Sequence, residues 1–478
     1  MERLIGRNQE QEELRMAMQS SRSEFIVLYG RRRVGKTFLV RKFFDDRYTF
    51  RYVGAHKQTK ATQLKNFREA LVAYSGGDII PEINDWHEAF YQLQQYLAGC
   101  KDKRKVIFFD EMPWADSHGS NFVAELEYFW ANYVQTRDDI VFIACGSATN
   151  WMKEKIEDNK GGLHNRITRR IYLRPFYLSE CKEYFEYRGF DWDEYEILQC
   201  YMIFGGVPYY LSLLNPYKTL IENVDYLIFK RGGNLCDEFN ELYNALFSNA
   251  ERYINVVKLL SSKKSGMTRS EIETSTGYSG GNLSKMLDNL ERCDFISSYS
   301  QFGMKTKQTM FRLSDFYSLF YFRYVENNNT KDELYWQHHF MDRSVDAWRG
   351  LTFEEVCMRH LPHIKQALGI SGMATEASSW RYVPGNNEER AGCQIDIVIK
   401  RVDNLIHLIE CKFSDTQYTI TKDYNAKLKE RMRIFKEVTG VRQSIATTFI
   451  SPFGIKINAN SSFIHSQLTT KNLFRSIE

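Results

Sequence analysis

The chain has 478 residues, 43% hydrophobic and 26% charged, a balance that excludes wholesale disorder and a collagen-like or coiled-coil rod. At roughly 100–200 residues per domain the length requires several domains. A net charge of +4 neither demands nor excludes a nucleic-acid partner, and the 9 cysteines, scattered from Cys100 to Cys411 without C-x-x-C spacing, exclude a disulfide framework and a zinc site. The segment MERLIGRNQEQEEL is charged throughout and lacks the apolar core of a secretory signal. No apolar run reaches the ~18–20 residues of a membrane span. The expectation is a cytoplasmic protein with no membrane partner.

Residues 25–29, FIVLY, have the length and composition of a buried strand. Directly after them stands Gly30-Arg31-Arg32-Arg33-Val34-Gly35-Lys36-Thr37, which fits G-x-x-x-x-G-K-[ST], and a helical run, FLVRKFF, follows. Strand, glycine loop and helix make a phosphate cradle, because loop N–H groups must approach phosphate oxygens where a side chain would intrude. Lys36 is expected to reach the β- and γ-phosphates of ATP and Thr37 to place its hydroxyl on Mg²⁺. A second buried-strand run, VIFFD, ends in Asp110-Glu111. Asp110 is expected to hold the metal and Glu111 to orient an attacking water. A third, IVFIAC, leads into Gly146-Ser147-Ala148-Thr149-Asn150, where Ser147, and after it Thr149, would sense the γ-phosphate. In GGLHNRITRRIYLRPF, Arg166 is the first choice, ahead of Arg169, Arg170 and Arg174, for an arginine finger acting across a homo-oligomer.

From about 177 to 240 the pattern is amphipathic helix, broken at Gly205-Gly206-Val207-Pro208. Residues 241–326 read as a winged helix-turn-helix: three helices, the second capped by Thr268 with Glu271 three later, then two short strands. The third helix would bring Asn282, Ser284 and Lys285 to the major groove of double-stranded DNA, and Lys305 and Lys307 on the wing would meet phosphates. The basic excess of the region is small, so a protein-docking role stays open.

After the turn-rich NNNTKDEL, residues 335–478 resemble the core of PD-(D/E)xK nucleases. A helix offers Glu354, the strand CQIDIVIK offers Asp396, and LIHLIECKFS offers Glu410 and Lys412 two apart, on one face of a strand. Asp396 and Glu410 would hold Mg²⁺ and Lys412 would position or deprotonate a water. Many domains of this fold bind nucleic acid without cutting. The helix KDYNAKLKERMRIFKEVTG adds Lys422, Lys427, Lys429, Arg431 and Arg433 as a face for phosphates or for solvent.

LIGRNQEQEEL, GRRRVGKT, FFDEMPW, CGSATNWM and GGLHNRITRR, with the later GGVPYYL, resemble in their order the archaeal-type ATPases, a branch of the AAA+ and related P-loop ATPases. The resemblance implies that Leu4 to Arg7 pack beside the adenine and that residues 177–240 are a helical lid relaying the nucleotide state. The resulting expectation is an α/β P-loop NTPase parallel-sheet core over 1–176, a helical lid over 177–240, a winged helix over 241–326 and a restriction-endonuclease-like α/β domain over 335–478. Its function would be Mg²⁺-dependent ATP hydrolysis coupled to DNA binding, with cleavage open. The alternatives are a nucleotide-dependent regulatory switch with a protein-binding winged helix and a non-cutting terminal module, or a regulator reading a defined operator.

Overall fold

Continuous apolar runs dictate the first sheet. In a computed structural model, which describes residues 3–147, 151–157, 163–263, 265–303, 309–328, 330–384 and 392–477, the sheet comprises β1 (Glu24–Tyr29), β2 (Phe50–Val53), β3 (Lys105–Asp110), β4 (Ile140–Gly146) and β5 (Arg169–Tyr172), of which β1, β3 and β4 hold those runs. All pairings are parallel, in the order β2-β3-β4-β1-β5. A parallel strand covered on both faces has no polar side, so every residue of β3 and β4 is buried.

Period-2 alternation divides β1 between two cores. Phe25 and Val27 meet α3 (Lys60–Tyr74), α4 (Trp86–Gly99) and α5 (Phe122–Phe129), which supply Phe67, Trp86 and Phe122. Ile26 and Leu28 meet α1 (Asn8–Gln19) and α2 (Lys36–Phe43), through Leu14 and Leu39. Fully burying each large apolar side chain contributes about 1.5–3 kcal/mol, so both faces of the sheet are held.

The chain separates into two compact units at Pro175/Phe176. The second begins with α6 (Leu178–Tyr187) and α7 (Glu194–Phe204). It continues with α8 (Ala250–Ser261), α9 (Arg269–Thr276) and α10 (Gly280–Arg292). Thr268 and Glu271 close a capping box at the start of α9, the Thr268 hydroxyl accepting from the Glu271 amide and the Glu271 carboxylate from the Thr268 amide. Three short antiparallel strands, β6 (Met267–Thr268), β7 (Ile296–Tyr299) and β8 (Met310–Leu313), run in the order β6-β8-β7. Lys305 and Lys307 lie outside the described residues, as does Thr149.

After α11 (Arg343–Arg359) a second five-stranded sheet is built from β9 (Thr375–Tyr382), β10 (Cys393–Arg401), β11 (Leu405–Cys411), β12 (Ser444–Ile450) and β13 (Ser466–Leu468), in the order β13-β12-β11-β10-β9. β9, β10 and β11 pair antiparallel, whereas β11, β12 and β13 pair parallel. Parallel β11 and β12 need a crossover, and α12 (Lys422–Thr439) provides it. Within this unit the turn after β7 docks on the outer sheet strand: the Phe302 amide donates to the Ser379 carbonyl at 2.9 Å and the Phe302 ring packs on Phe435. Beside that contact Arg312 of β8 pairs with Glu355 of α11 at 2.6 Å.

Candidate functional site

The sheet order places the carboxyl ends of β3, β4 and β1 side by side, the edge at which open parallel sheets bind ligands. Gly30 leaves β1 with φ +148°, and a Cβ there would stand 2.2 Å from the Leu173 carbonyl oxygen, so no other residue fits. The loop closes at Gly35, φ +90°, and α2 begins at Lys36, presenting the N–H groups and positive dipole end of its first turn. Lys36 is buried, and its Nζ donates to the carbonyls of Gly30 (3.0 Å) and Arg31 (2.8 Å). The ammonium is thus fixed by the carbonyls of its own loop. Arg31 and Val34 are buried, Arg32 is exposed and Arg33 takes a positive φ of 72°. Arg7, also buried, donates from Nη2 to the Val34 carbonyl at 3.2 Å and so ties the Leu4–Arg7 segment to the loop.

Asp110, at the end of β3, accepts at Oδ1 from the Thr37 hydroxyl at 3.0 Å and from the Glu111 amide at 3.1 Å. Its Oδ2 accepts from Arg51 at 3.2 Å. Thr37 and Asp110 therefore face one point next to Lys36, an arrangement that fits the magnesium carried by a nucleotide. Glu111 is held at φ 47°, ψ 40°, a left-handed conformation costing a non-glycine residue on the order of 1 kcal/mol. That backbone turn brings its carboxylate to the Ser147 hydroxyl, which donates to Oε2 at 3.1 Å. Glu111→Gln keeps the shape and removes the basicity. It is expected to bind ATP as the unaltered chain does and to turn it over about 100-fold more slowly, on the scale of a lost general base; equal single-turnover rates would remove Glu111 from the chemistry.

Of the arginines, Arg166 donates from Nη1 to the Glu127 carbonyl at 3.2 Å. Arg169 pairs with Glu13 at 2.6 Å and with buried Glu24 at 3.6 Å. Arg170 is exposed and Arg174 half-buried. Within one chain Arg166 is held by its own unit, so service in trans would require that bond to be exchanged.

In the second unit the β10–β11 ladder ends at the Ile397–Ile409 pair, and Asp396 and Glu410 are the next residues on the two strands. An irregularity between Ile395 and Val398 re-aims β10 at this position. Asp396 Oδ2 accepts from the Cys411 amide at 2.9 Å; burial, with Glu410 and Glu354 nearby, pushes its carboxyl well above the usual range. Glu410 has different company. Its Oε1 accepts from the Tyr424 hydroxyl at 2.6 Å and pairs with Lys412 at 2.7 Å, and Arg431 Nη1 reaches both Oε1 and Oε2 at 2.9 Å. Burial acts to raise Glu410, but Lys412 and Arg431 hold it below the ordinary carboxylate value. Burial acts to lower Lys412, yet Glu410 and Asp396 push it up.

This differs from the open pair of acids expected at Asp396 and Glu410. Two cations and a phenol already occupy the Glu410 oxygens. Among the described residues no group of three or more His, Cys, Asp or Glu side chains is gathered to hold a metal ion. As folded, this cluster does not fit a divalent cation. Sequence reasoning missed Tyr424 and placed Arg431 only on a face for phosphates or solvent, although their i, i+7 spacing on one face of α12 carried the signal. It also missed Arg51, an arginine in a strand register two residues from the Val53–Asp110 pair.

On α10, Asn282, Ser284 and Lys285 are exposed near the start of the helix, with Ser284 accepting from Arg269 at 3.2 Å. Among the described residues no helix is long and apolar enough to cross a membrane.

The segment that carries the first of these sites is similar to known proteins. Residues 4–214 match the model of an ATPase domain predominantly from Archaea. The matched segment contains the loop, Asp110, Glu111 and Ser147. Residues 321–425 match a family described as archaea bacterial proteins of unknown function. An uncharacterized protein of Methanocaldococcus jannaschii is 25% identical over 86% of this chain and 88% of its own. An uncharacterized ATP-binding protein of the same organism is 42% identical over 9% of this chain and 73% of its own. Among solved structures, a Walker-type ATPase of Pyrococcus abyssi is similar at a TM-score of 0.48 and 18% identity, over 67% of this chain and 96% of that one.

Proposed function

We propose that the ATPase domain hydrolyses ATP with Mg²⁺ and that the second unit engages double-stranded DNA under nucleotide control. The observation that carries the first half is the meeting of Lys36, the Thr37–Asp110 pair and the Glu111–Ser147 pair at adjacent strand ends. Lys36 and the loop amides bind the phosphates, and Thr37 and Asp110 would hold a magnesium ion, which would supply charge neutralisation. Glu111 orients and accepts a proton from the water, Ser147 fixes the Glu111 carboxylate, and Arg166 of a neighbouring copy would offset developing charge. Support for the second half is the order α8, β6, α9, α10, β7, β8, which we read as a winged helix with Asn282, Ser284 and Lys285 on its exposed reading helix. The mixed sheet with its α12 crossover, and Asp396 and Glu410 at the end of the β10–β11 ladder, support a restriction-endonuclease-like reading of the terminal region.

A second reading, a regulatory switch with a non-cutting terminal module, is favoured by the Arg431 and Lys412 contacts that cover Glu410. ATP turnover measured with and without duplex DNA, over a salt series, separates the two. The DNA reading expects stimulation of several-fold that fades as salt rises, because phosphate contacts release counterions. Turnover indifferent to DNA at every salt concentration would move the regulatory reading to first place.

A further inference from the structure

We propose that Arg431 is a lock on the terminal carboxylates, holding Glu410 closed to divalent cations until the phosphodiester backbone of a nucleic acid takes the guanidinium. The inference rests on the DNA reading of the second unit and gives its terminal cluster a substrate-operated step. It starts from the misfit between that cluster and a metal ion.

The Glu410 carboxylate offers about four lone-pair sites. Arg431 takes one on each oxygen, while Tyr424 and Lys412 both lie on Oε1. A divalent cation approaching this carboxylate would meet two fixed positive charges in contact with it. Glu410 is buried, so little water is available to screen the repulsion. The three partners are not equally placed. Lys412 sits beside the end of Glu410's own strand, and Tyr424 is neutral. Arg431 comes from another element, α12, both of its bonds to Glu410 run through one nitrogen, and its side chain remains 30% exposed. It is the partner that can leave without unravelling the sheet.

What would draw it away follows from its chemistry. The planar guanidinium matches a phosphate as well as a carboxylate, so a phosphodiester is an exchange partner of the same geometry. The face of α12 that carries Arg431 also presents exposed Lys427 four residues earlier, extending the cationic line along one side of the helix. Arg433, by contrast, is held by Glu430 and Glu437 and does not contribute. A backbone phosphate laid on Arg431 and Lys427 would free Glu410 Oε2 and one position on Oε1, which keeps Tyr424 and Lys412.

The test is Mn²⁺ binding to the full chain without nucleotide, counted by electron paramagnetic resonance, for the unaltered protein, Arg431→Met and Arg431→Met/Asp396→Asn. Arg431→Met is expected to gain one Mn²⁺ per chain, bound at least about ten-fold more tightly than in the unaltered protein, and the double variant to lose it. A short uncut duplex should tighten Mn²⁺ binding to the unaltered protein and leave Arg431→Met unchanged. Equal Mn²⁺ binding by the unaltered protein and Arg431→Met overturns the lock. A gain in the variant with no effect of duplex on the unaltered protein overturns the release by phosphodiester. Should Arg431→Met fail to fold, Arg431→Gln, which keeps a planar donor without the charge, carries the same expectations. A variant that gains Mn²⁺, with duplex tightening Mn²⁺ binding to the unaltered protein while ATP turnover stays indifferent to DNA, removes the coupling of turnover to DNA and leaves the lock standing.

Discussion

Lys36→Ala is expected to lower ATP turnover by about 100-fold or more, the scale on which one preorganised donor to a developing anion acts. The ammonium is bonded to the Gly30 and Arg31 carbonyls, which fixes its position in the loop. Removing it leaves two inward-facing carbonyl oxygens where phosphate oxygens must come, and oxygen against oxygen repels. Nucleotide affinity should therefore fall together with turnover, unlike in Glu111→Gln, where binding persists. Titration with a fluorescent ATP analogue beside a phosphate-release assay checks both halves. An alanine variant that keeps its turnover would mean that the loop amides alone bind the phosphates.

Arg312→Met is expected to destabilise the second unit by about 3 kcal/mol, the lower end for breaking a buried ion pair, since the Arg312 side chain keeps 12% exposure. The cost comes from the partner left behind. Glu355 is buried and would lose the cation that compensates its desolvation. Arg312 also lies over the Tyr299 ring, 5.5 Å from its centroid, and methionine recovers part of that packing. The double variant Arg312→Met/Glu355→Gln should return most of the loss, because neither charge then remains buried alone. Urea unfolding followed by tryptophan fluorescence supplies the comparison. A single variant within about 0.5 kcal/mol of the unaltered protein, the range of ordinary surface substitutions, would show that water reaches the pair.

The consequence reaches the terminal cluster. Arg312 stands in β8, and Glu355 is the neighbour in α11 of Glu354, one of the groups raising Asp396. The docking of Phe302 on Ser379 adds a backbone link between the same two regions. The three-helix region and the terminal sheet are therefore joined by a buried charge pair and a strand-edge contact, which gives a mechanical reason for them to respond together.

The nucleotide site was legible in the sequence because its parts are local. The loop at Gly30–Thr37 depends on two glycines and a lysine at fixed offsets, and Asp110 and Ser147 each follow an apolar run whose end is unmistakable. Burial of both faces of a parallel sheet leaves such runs no polar positions, so strand ends announce themselves. The capping box at Thr268 and Glu271, and the strand carrying Glu410, were readable for the same reason: the signal spans a few residues. Arg7 on the loop, Arg51 on Asp110, and above all Tyr424 and Arg431 on Glu410 were not. Their partners lie 27, 59, 14 and 21 residues away in the chain, and a lysine- and arginine-rich helix reads equally well as a solvated face. The sequence by itself determined the glycine loop at Gly30–Thr37, since backbone conformation and side-chain type there are set within eight positions. Only the tertiary structure decided that the terminal acids are not an open pair, because crossover α12 returns over β11 and delivers a guanidinium to a carboxylate that burial requires to be neutralised.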